Sequence, residues 1–239
     1  MKNPDLGHRL RLIRYLIAGL SLVVVGFLLA LGFLIATTPS PRPLKKTFPS
    51  STAFIEREKT AGQRVIWIPI PYEEISPQLK KAVLVSEDIT FFQHHGFEFH
   101  EIRQALKGVF HGKKLRGAST LSQQLAKNLW LSPERSLGRK IKEAVLTWKL
   151  ERSLSKKRIL ELYLNCVEFG PGIFGAEAAA MHYFHKHASE LKPEEAARLA
   201  AALPMPSRRH PGSSSRATSQ AVERILWRMK RVEWLNHFL

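Results

Sequence analysis

The chain has 239 residues and an ordinary apolar fraction of 44%, which suits one globular domain plus an anchor. Its formal charge of +17 is not ordinary and calls for an anionic partner: nucleic acid, anionic lipid or a phosphorylated substrate. The single cysteine, Cys166, excludes an intramolecular disulfide and a paired-cysteine zinc site.

Residues 15–36 read YLIAGLSLVVVGFLLALGFLIA, without a charge. A bilayer core needs roughly 20 apolar residues in a helix, and this run meets that. It is long for a signal-peptide core and no clean A-x-A site follows, so it reads as an uncleaved anchor. The other reading of such a run is a buried core helix. Lys2, Arg9, Arg11 and Arg14 favour a cytoplasmic residue 1–14 segment, although Arg42, Lys45 and Lys46 follow on the far side. Residues 37–49, TTPSPRPLKKTFP, carry four prolines and read as an extended linker. The organisation predicted is a linker over 37–60 and one mostly α-helical domain over 61–239.

Residues 65–72 are β-rich but limited by Pro69 and Pro71, so at most a short edge strand is expected. Ser76 and Pro77 open a helix carrying Leu79, Ala82, Val83 and Val85. Further helical patterns cover about 98–111, 119–130, 134–154, 155–168, 193–203 and 216–238, with Gly170, Gly172, Gly175, Pro204 and Pro206 as punctuation.

Four segments carry candidate chemistry. In Ser86-Glu87-Asp88-Ile89-Thr90-Phe91-Phe92-Gln93-His94-His95-Gly96, an acidic pair runs into aromatic residues. A carboxylate beside low-dielectric surface has a raised pKa and can act as a base; a solvated helix end is the plain alternative. Between Ile102 and Arg116, an apolar stripe of Ile102, Ala105, Leu106, Val109 and Phe110 is flanked by five cations, which suits either an anionic membrane surface or simple core packing. In Gly117-Ala118-Ser119-Thr120-Leu121-Ser122-Gln123-Gln124-Leu125-Ala126-Lys127-Asn128, Thr120 and Gln123 fit a capping box. The helix start offers free N–H groups to a phosphate, and Thr120, Gln123, Gln124 and Lys127 share one face. An ordinary capped helix would need neither the two glutamines nor the lysine. In Arg135 to Glu143, Arg139 and Glu143 are i, i+4 partners. An apolar stripe of Leu137, Ile141, Ala144, Val145 and Trp148 is expected to face the core and leave that pair beside it.

Together these segments closely resemble glycosyltransferase family 51, the peptidoglycan glycosyltransferases. An E-D-x-x-F-x-x-H-x-G motif is met by Glu87, Asp88, Phe91, His94 and Gly96. G-x-S-T-x-x-Q-Q-x-x-K-N is met by Gly117, Ser119, Thr120, Gln123, Gln124, Lys127 and Asn128, and R-K-x-x-E by Arg139, Lys140 and Glu143. S-K-x-x-I-L-E-x-Y-L-N is met by Ser155, Lys156, Ile159, Leu160, Glu161, Tyr163, Leu164 and Asn165. The resemblance covers about residues 65–210, and residues 168–175 and 183–186 look like the monofunctional branch of Gram-negative bacteria. Glu98 stands where many members carry aspartate, and no catalytic role is assigned to it. Two S-x-x-K matches, at Ser153 and Ser189, lack the partner motifs of a transpeptidase and are coincidental.

The resemblance implies a lysozyme-like helical glycosyltransferase domain behind a transmembrane helix, placed single-pass in the bacterial inner membrane with its catalytic part in the periplasm. It implies transfer from an undecaprenyl-diphosphate-linked glycan to lipid II, with inversion to a β-1,4 bond. Glu87 would be the base. Ser119, Thr120, Gln124, Lys127, Asn128 and Arg139 would bind substrate, the cations compensating the leaving diphosphate. Glu143 would be a second catalytic glutamate that orients Arg139, assists departure, or holds a divalent ion (Mg or Mn). No obligatory cofactor and no resident metal is implied. The partners implied are the lipid-linked substrates, the membrane and other cell-wall synthesis proteins. Nucleic acid is not among them, because aromatic residues are not interleaved with the basic runs. A glycan hydrolase or lytic transglycosylase is the rival enzyme reading; it would need no diphosphate cradle.

Overall fold

A computed structural model describes residues 4–98, 119–134, 136–207, 209–213 and 215–239, with side chains from residue 13 onward. The chain divides into two units, one ending at Pro39 and one running from Ser40 to Leu239. The first is a helix, α1 (Pro4–Thr37). Its Ile13–Thr37 segment is the one helix among the described residues long and apolar enough to cross a membrane. Leu22, Phe27 and Leu29 are exposed along it, so it is not the core helix of a globular fold.

The second unit is mostly helical, as its 3.6-residue periodicity implies. It begins earlier than the 37–60 linker reading: Leu44 is buried in a 3-10 turn at Arg42–Lys45, and α2 (Ala53–Thr60) is capped by the Thr52 hydroxyl, which accepts from the Ile55 N–H at 3.1 Å. Ile55 is fully buried and anchors α2 in the unit. The prolines mark turns here rather than a free spacer, because each apolar side chain between them finds a place in the core.

Helix α3 (Pro77–Glu87) starts at Ser76, whose Oγ accepts from the Gln78 N–H and donates to the Leu191 carbonyl at 2.9 Å. It packs with α8 (Pro193–Ala202) and α9 (Arg216–Met229). Helix α4 (Leu121–Trp130) packs on α5 (Leu137–Ser153), α6 (Lys156–Cys166) and α2. The helical pattern expected over 98–111 and the basic stripe of 102–116 lie almost wholly outside the described residues.

A small sheet closes the far side of α6. Its order is β1 (Ile66–Trp67), β3 (Ile173–Phe174), β2 (Glu168–Gly170), so β1 is the expected short edge strand. Asn165 pins the segment that follows β1 to α6: its Nδ2 donates to the Ile70 carbonyl at 2.9 Å and its Oδ1 accepts from the Ile70 N–H at 2.8 Å. Gly172 and Gly175 have positive φ and lie so close to the Arg64 and Asn165 carbonyls that any Cβ would collide. Two elements depart from the periodicity. Helix α7 (Ala176–Phe184) is not among the predicted helical patterns; its first five residues, four of them alanines, are all buried, which erases the polar–apolar contrast there. The helix expected over 216–238 stops at Met229, and a 3-10 turn at Glu233–His237 takes Leu235 into the core while Phe238 stacks on Phe92.

Candidate active site

The site is built around the junction of α3 and α4. Asp88, the residue after α3, accepts from the His94 ring at Nε2 (3.0 Å) and from the Leu121 N–H (2.9 Å). The Gly96 N–H donates to His94 Nδ1 at 3.0 Å, which fixes the neutral tautomer that carries its proton on Nε2. The Thr120 hydroxyl donates to the Gly96 carbonyl at 2.7 Å and accepts from the Gln123 N–H; Gln123 Oε1 returns a bond to the Thr120 N–H. The capping box is therefore present.

This lock corrects the expected phosphate cradle. The N–H groups of Thr120, Leu121 and Gln123 are already satisfied, and the Asp88 carboxylate occupies the helix start. Thr120 is buried, with its hydroxyl committed to the cap and to Gly96. An anion beside α4 must be held mainly by side chains.

One face of α4 stays open. Gln124 and Lys127 are half-buried among buried neighbours, and three residues of helix place them one turn apart. Gln124 Nε2 donates to Glu87 at 3.0 Å, and the buried Tyr163 hydroxyl donates to Gln124 Oε1 at 2.9 Å. Ser86 Oγ adds a bond to Glu87 at 3.2 Å. Burial is the main influence on Glu87 and pushes its carboxyl up, Gln124 and Ser86 pull it back, and the Asp88 charge pushes further; the net direction is up. Glu87 is thus a shielded carboxyl poised to accept a proton, not a solvated helix end.

Lys127 faces the cations of α5. Burial lowers its pKa most; Glu143 opposes this, and Arg139, Lys140 and Arg57 add to it. Arg139 Nη1 donates to Glu143 at 2.6 Å, and Lys140 also bonds Glu143. Glu143 is 3% exposed, so this is no surface ion pair. Arg139 Nε is buried with no partner among the described residues, an unused donor beside a cation cluster.

The expected apolar stripe of α5 holds only in part. Val145 is buried and Ala144 half-buried, but Leu137 is 79% exposed and Ile141 and Trp148 are also exposed, while Glu143, Leu146, Thr147 and Leu150 point inward. Glu143 can sit inside because Arg139 and Lys140 neutralise it and Thr147 donates to its backbone carbonyl.

Of the residues singled out by sequence, Glu87 and Gln124 are directly bonded, and Lys127, Arg139 and Glu143 share one electrostatic cluster a turn along α4. Ser119 is half-buried beside the helix start, and Asn128 is buried. Sequence reasoning missed Tyr163 as the support of Gln124. It also missed Phe54 and Arg57, because α2 fell inside the supposed linker; the Phe54 ring lies 5.4 Å from Lys127 Nζ. The remaining motif residues are scaffold: Glu161 accepts from the Tyr72 N–H and from Arg158, and Lys156 pairs with Glu151. No group of three or more histidine, cysteine or acidic residues that could hold a metal occurs among the described residues. A cation does not fit at Glu143, whose two oxygens already face Arg139 and Lys140.

The model of the transglycosylase family matches residues 54–230. The chain is 46% identical over 190 residues to a biosynthetic peptidoglycan transglycosylase of Nitrosospira multiformis, covering 76% of this chain and 82% of the relative. It is 48% identical over 194 residues to one of Azoarcus sp., covering 77% and 83%. It is 46% identical over 197 residues to one of Aeromonas hydrophila, covering 82% and 83%. A match that begins in α2 and runs through α9, with relatives aligned over most of both lengths, leaves one conclusion: the chain belongs to the transglycosylase family.

Proposed function

We propose that this chain is a peptidoglycan glycosyltransferase that polymerises lipid II into β-1,4-linked glycan and releases undecaprenyl diphosphate. The observation that carries the reading is the α4 face. It sets a shielded carboxyl, Glu87, one helical turn from a cation cluster around Lys127. Inverting displacement needs a base at the attacking hydroxyl and charge compensation at the leaving group. Glu87 takes the proton of the acceptor 4-hydroxyl as the new C1–O bond forms. The C1–O bond to the diphosphate breaks, and its electron pair leaves with that group. Lys127 and Arg139 receive the developing charge. Glu143 holds Arg139 and Lys140 in place. Ser119 and Asn128 lie at the two ends of the same helix and are the remaining substrate contacts of this reading, with Thr120 acting through the cap.

The apolar helix Ile13–Thr37 serves as a single-pass anchor that keeps the second unit at the lipid plane, on the periplasmic side of the inner membrane. The hydrolase alternative is disfavoured: the relatives carry a biosynthetic name, and a finished glycan chain offers no diphosphate to the cations.

The test is polymerisation of lipid II by the purified chain and by Glu87→Gln. Turnover should fall about 10²–10⁴-fold in the variant with its thermal midpoint kept. Near-normal polymerisation by Glu87→Gln would remove Glu87 as base.

A further inference from the structure

We propose that Phe54 on α2 is a positioning residue for the Lys127 ammonium, its ring face holding the cation toward the leaving diphosphate. The proposal rests on the diphosphate reading of Lys127 given above.

Among the described residues, no ion pair or hydrogen bond holds the Lys127 ammonium. The one carboxylate acting on Lys127 among the described residues, Glu143, is committed to Arg139 and Lys140. What lies against Lys127 is the Phe54 ring, with Nζ 5.4 Å from its centroid, inside the ~6 Å range of a cation–π contact. The ring also carries the Arg57 guanidinium, 4.8 Å from its centroid, and Arg57 is tied back to Glu58. Phe54 does not drift: Thr52 caps its helix and the next residue, Ile55, is fully buried. One aromatic ring therefore gathers a cation of α2 and a cation of α4 beside the α5 cluster.

The chemistry explains why a ring suits this place better than a carboxylate. An acidic partner would cancel the charge that the diphosphate needs and would compete with it for the ammonium. A π face attracts the cation yet leaves its full charge and its N–H donors to the ligand. It also opposes the surroundings. Among the described residues, the charged groups facing Lys127 are Arg57 from α2 and Arg139, Lys140 and Glu143 from α5; of these, the three cations repel a protonated amine, and burial disfavours it further. The ring face helps keep the proton on Lys127 when no diphosphate is bound.

The experiment uses the full chain in detergent micelles, with kcat and KM for lipid II measured from pH 6 to 10. Phe54→Leu keeps apolar bulk and removes the π face. It should lower kcat about three- to ten-fold with little change in KM. It should also move the alkaline limb of kcat about half a pH unit downward, because Lys127 then loses its proton sooner. Phe54→Tyr keeps the ring and should behave as the parent. Lys127→Ala is run in parallel. If Lys127→Ala is inactive while Phe54→Leu has parental kcat and an unmoved limb, the positioning role fails and the diphosphate reading stands. If Lys127→Ala is fully active, that reading falls and the proposal with it. A loss in Phe54→Leu that is uniform across pH, unrescued by Tyr and matched by a lower thermal midpoint, reduces Phe54 to packing and also overturns it.

Discussion

Gln124 donates its amide to Glu87 at 3.0 Å while the Tyr163 hydroxyl, 2.9 Å away, fixes which end of that amide faces the carboxylate. With Tyr163 donating to Oε1, only the NH₂ end is left for Glu87, so the contact favours the ionised acid. Burial works the other way and raises the pKa. As the proposed base, Glu87 would act only as a carboxylate, so activity should be lost as pH falls through that raised pKa. Gln124→Leu removes the compensating donor and should raise it again. The acid limb of kcat/KM for lipid II is expected to move up by about one pH unit. A limb in the parental position would exclude Gln124 from tuning the base.

Tyr163→Phe tests the same relay more gently. It leaves the amide free to turn and Gln124 Oε1 without its donor, at a cost of about 1–2 kcal/mol in stability. The acid limb should shift in the same direction as in Gln124→Leu but by less. A shift in the opposite direction would contradict the orientation assigned to the amide.

Lys127→Ala should cost roughly 3 kcal/mol of transition-state stabilisation, the scale of a lost oxyanion donor. An unchanged kcat/KM would rule that out. Inorganic pyrophosphate offers a readout free of the chemical step: it should inhibit the parent more strongly than the alanine variant, because a charge has left the proposed diphosphate-binding cluster.

The Asp88 lock should matter to stability first. Its buried carboxylate binds the His94 ring and the Leu121 N–H, and with them the start of α4. Asp88→Ala leaves both donors buried and unsatisfied, a loss of about 3 kcal/mol in the second unit. Thermal unfolding in detergent should show a clear drop in midpoint, with activity falling because Gln124 loses its fixed distance to Glu87. A variant with a parental midpoint would show that the lock is not what holds α4.

These relationships divide into those a sequence can disclose and those it cannot. Ser76-Pro77 and the Thr120/Gln123 box are local, so both helix starts were legible. Glu87, Gln124, Lys127, Arg139 and Glu143 were legible as motif positions, and the i, i+3 spacing already set Gln124 and Lys127 on one face. What fills a helix start was not legible: Asp88 lies 33 residues from Leu121, and only the fold reveals that it takes the place expected for a phosphate. On α5, hydrophobicity pointed to Leu137, Ile141 and Trp148 as core, yet the neutralised Glu143 went inside instead, a pairing that no periodicity rule weighs. Helix α7 was illegible for the opposite reason, since its first five residues, Ala176–Ala180, are all buried and show no stripe to read. Phe54 was hidden by the prolines before it, which suggested a spacer where the domain had already begun.

Lys80 supplies a pH test that is independent of the active site. It is buried on α3, with Nζ 3.7 Å from the centre of the Tyr72 ring and Lys157 over the same ring at 4.6 Å. Burial pulls its pKa down to about 8; Glu73 and Glu161 oppose this and Lys157 adds to it. The unfolded chain would hold that proton to about 10.4. Between these values the unfolded state binds more protons than the folded one, so stability from this group rises with pH over that window. The same sign requires that the charged form burdens the fold at neutral pH. Lys80→Met fills the space without a charge, and its thermal midpoint at pH 7 should equal or exceed that of the parent. The parent should gain on the variant between pH 8 and 10, as its own lysine sheds the proton. A parent that loses ground to Lys80→Met over that range would mean that the ammonium over Tyr72 is a net stabilising contact and that its depressed pKa has been assigned the wrong sign.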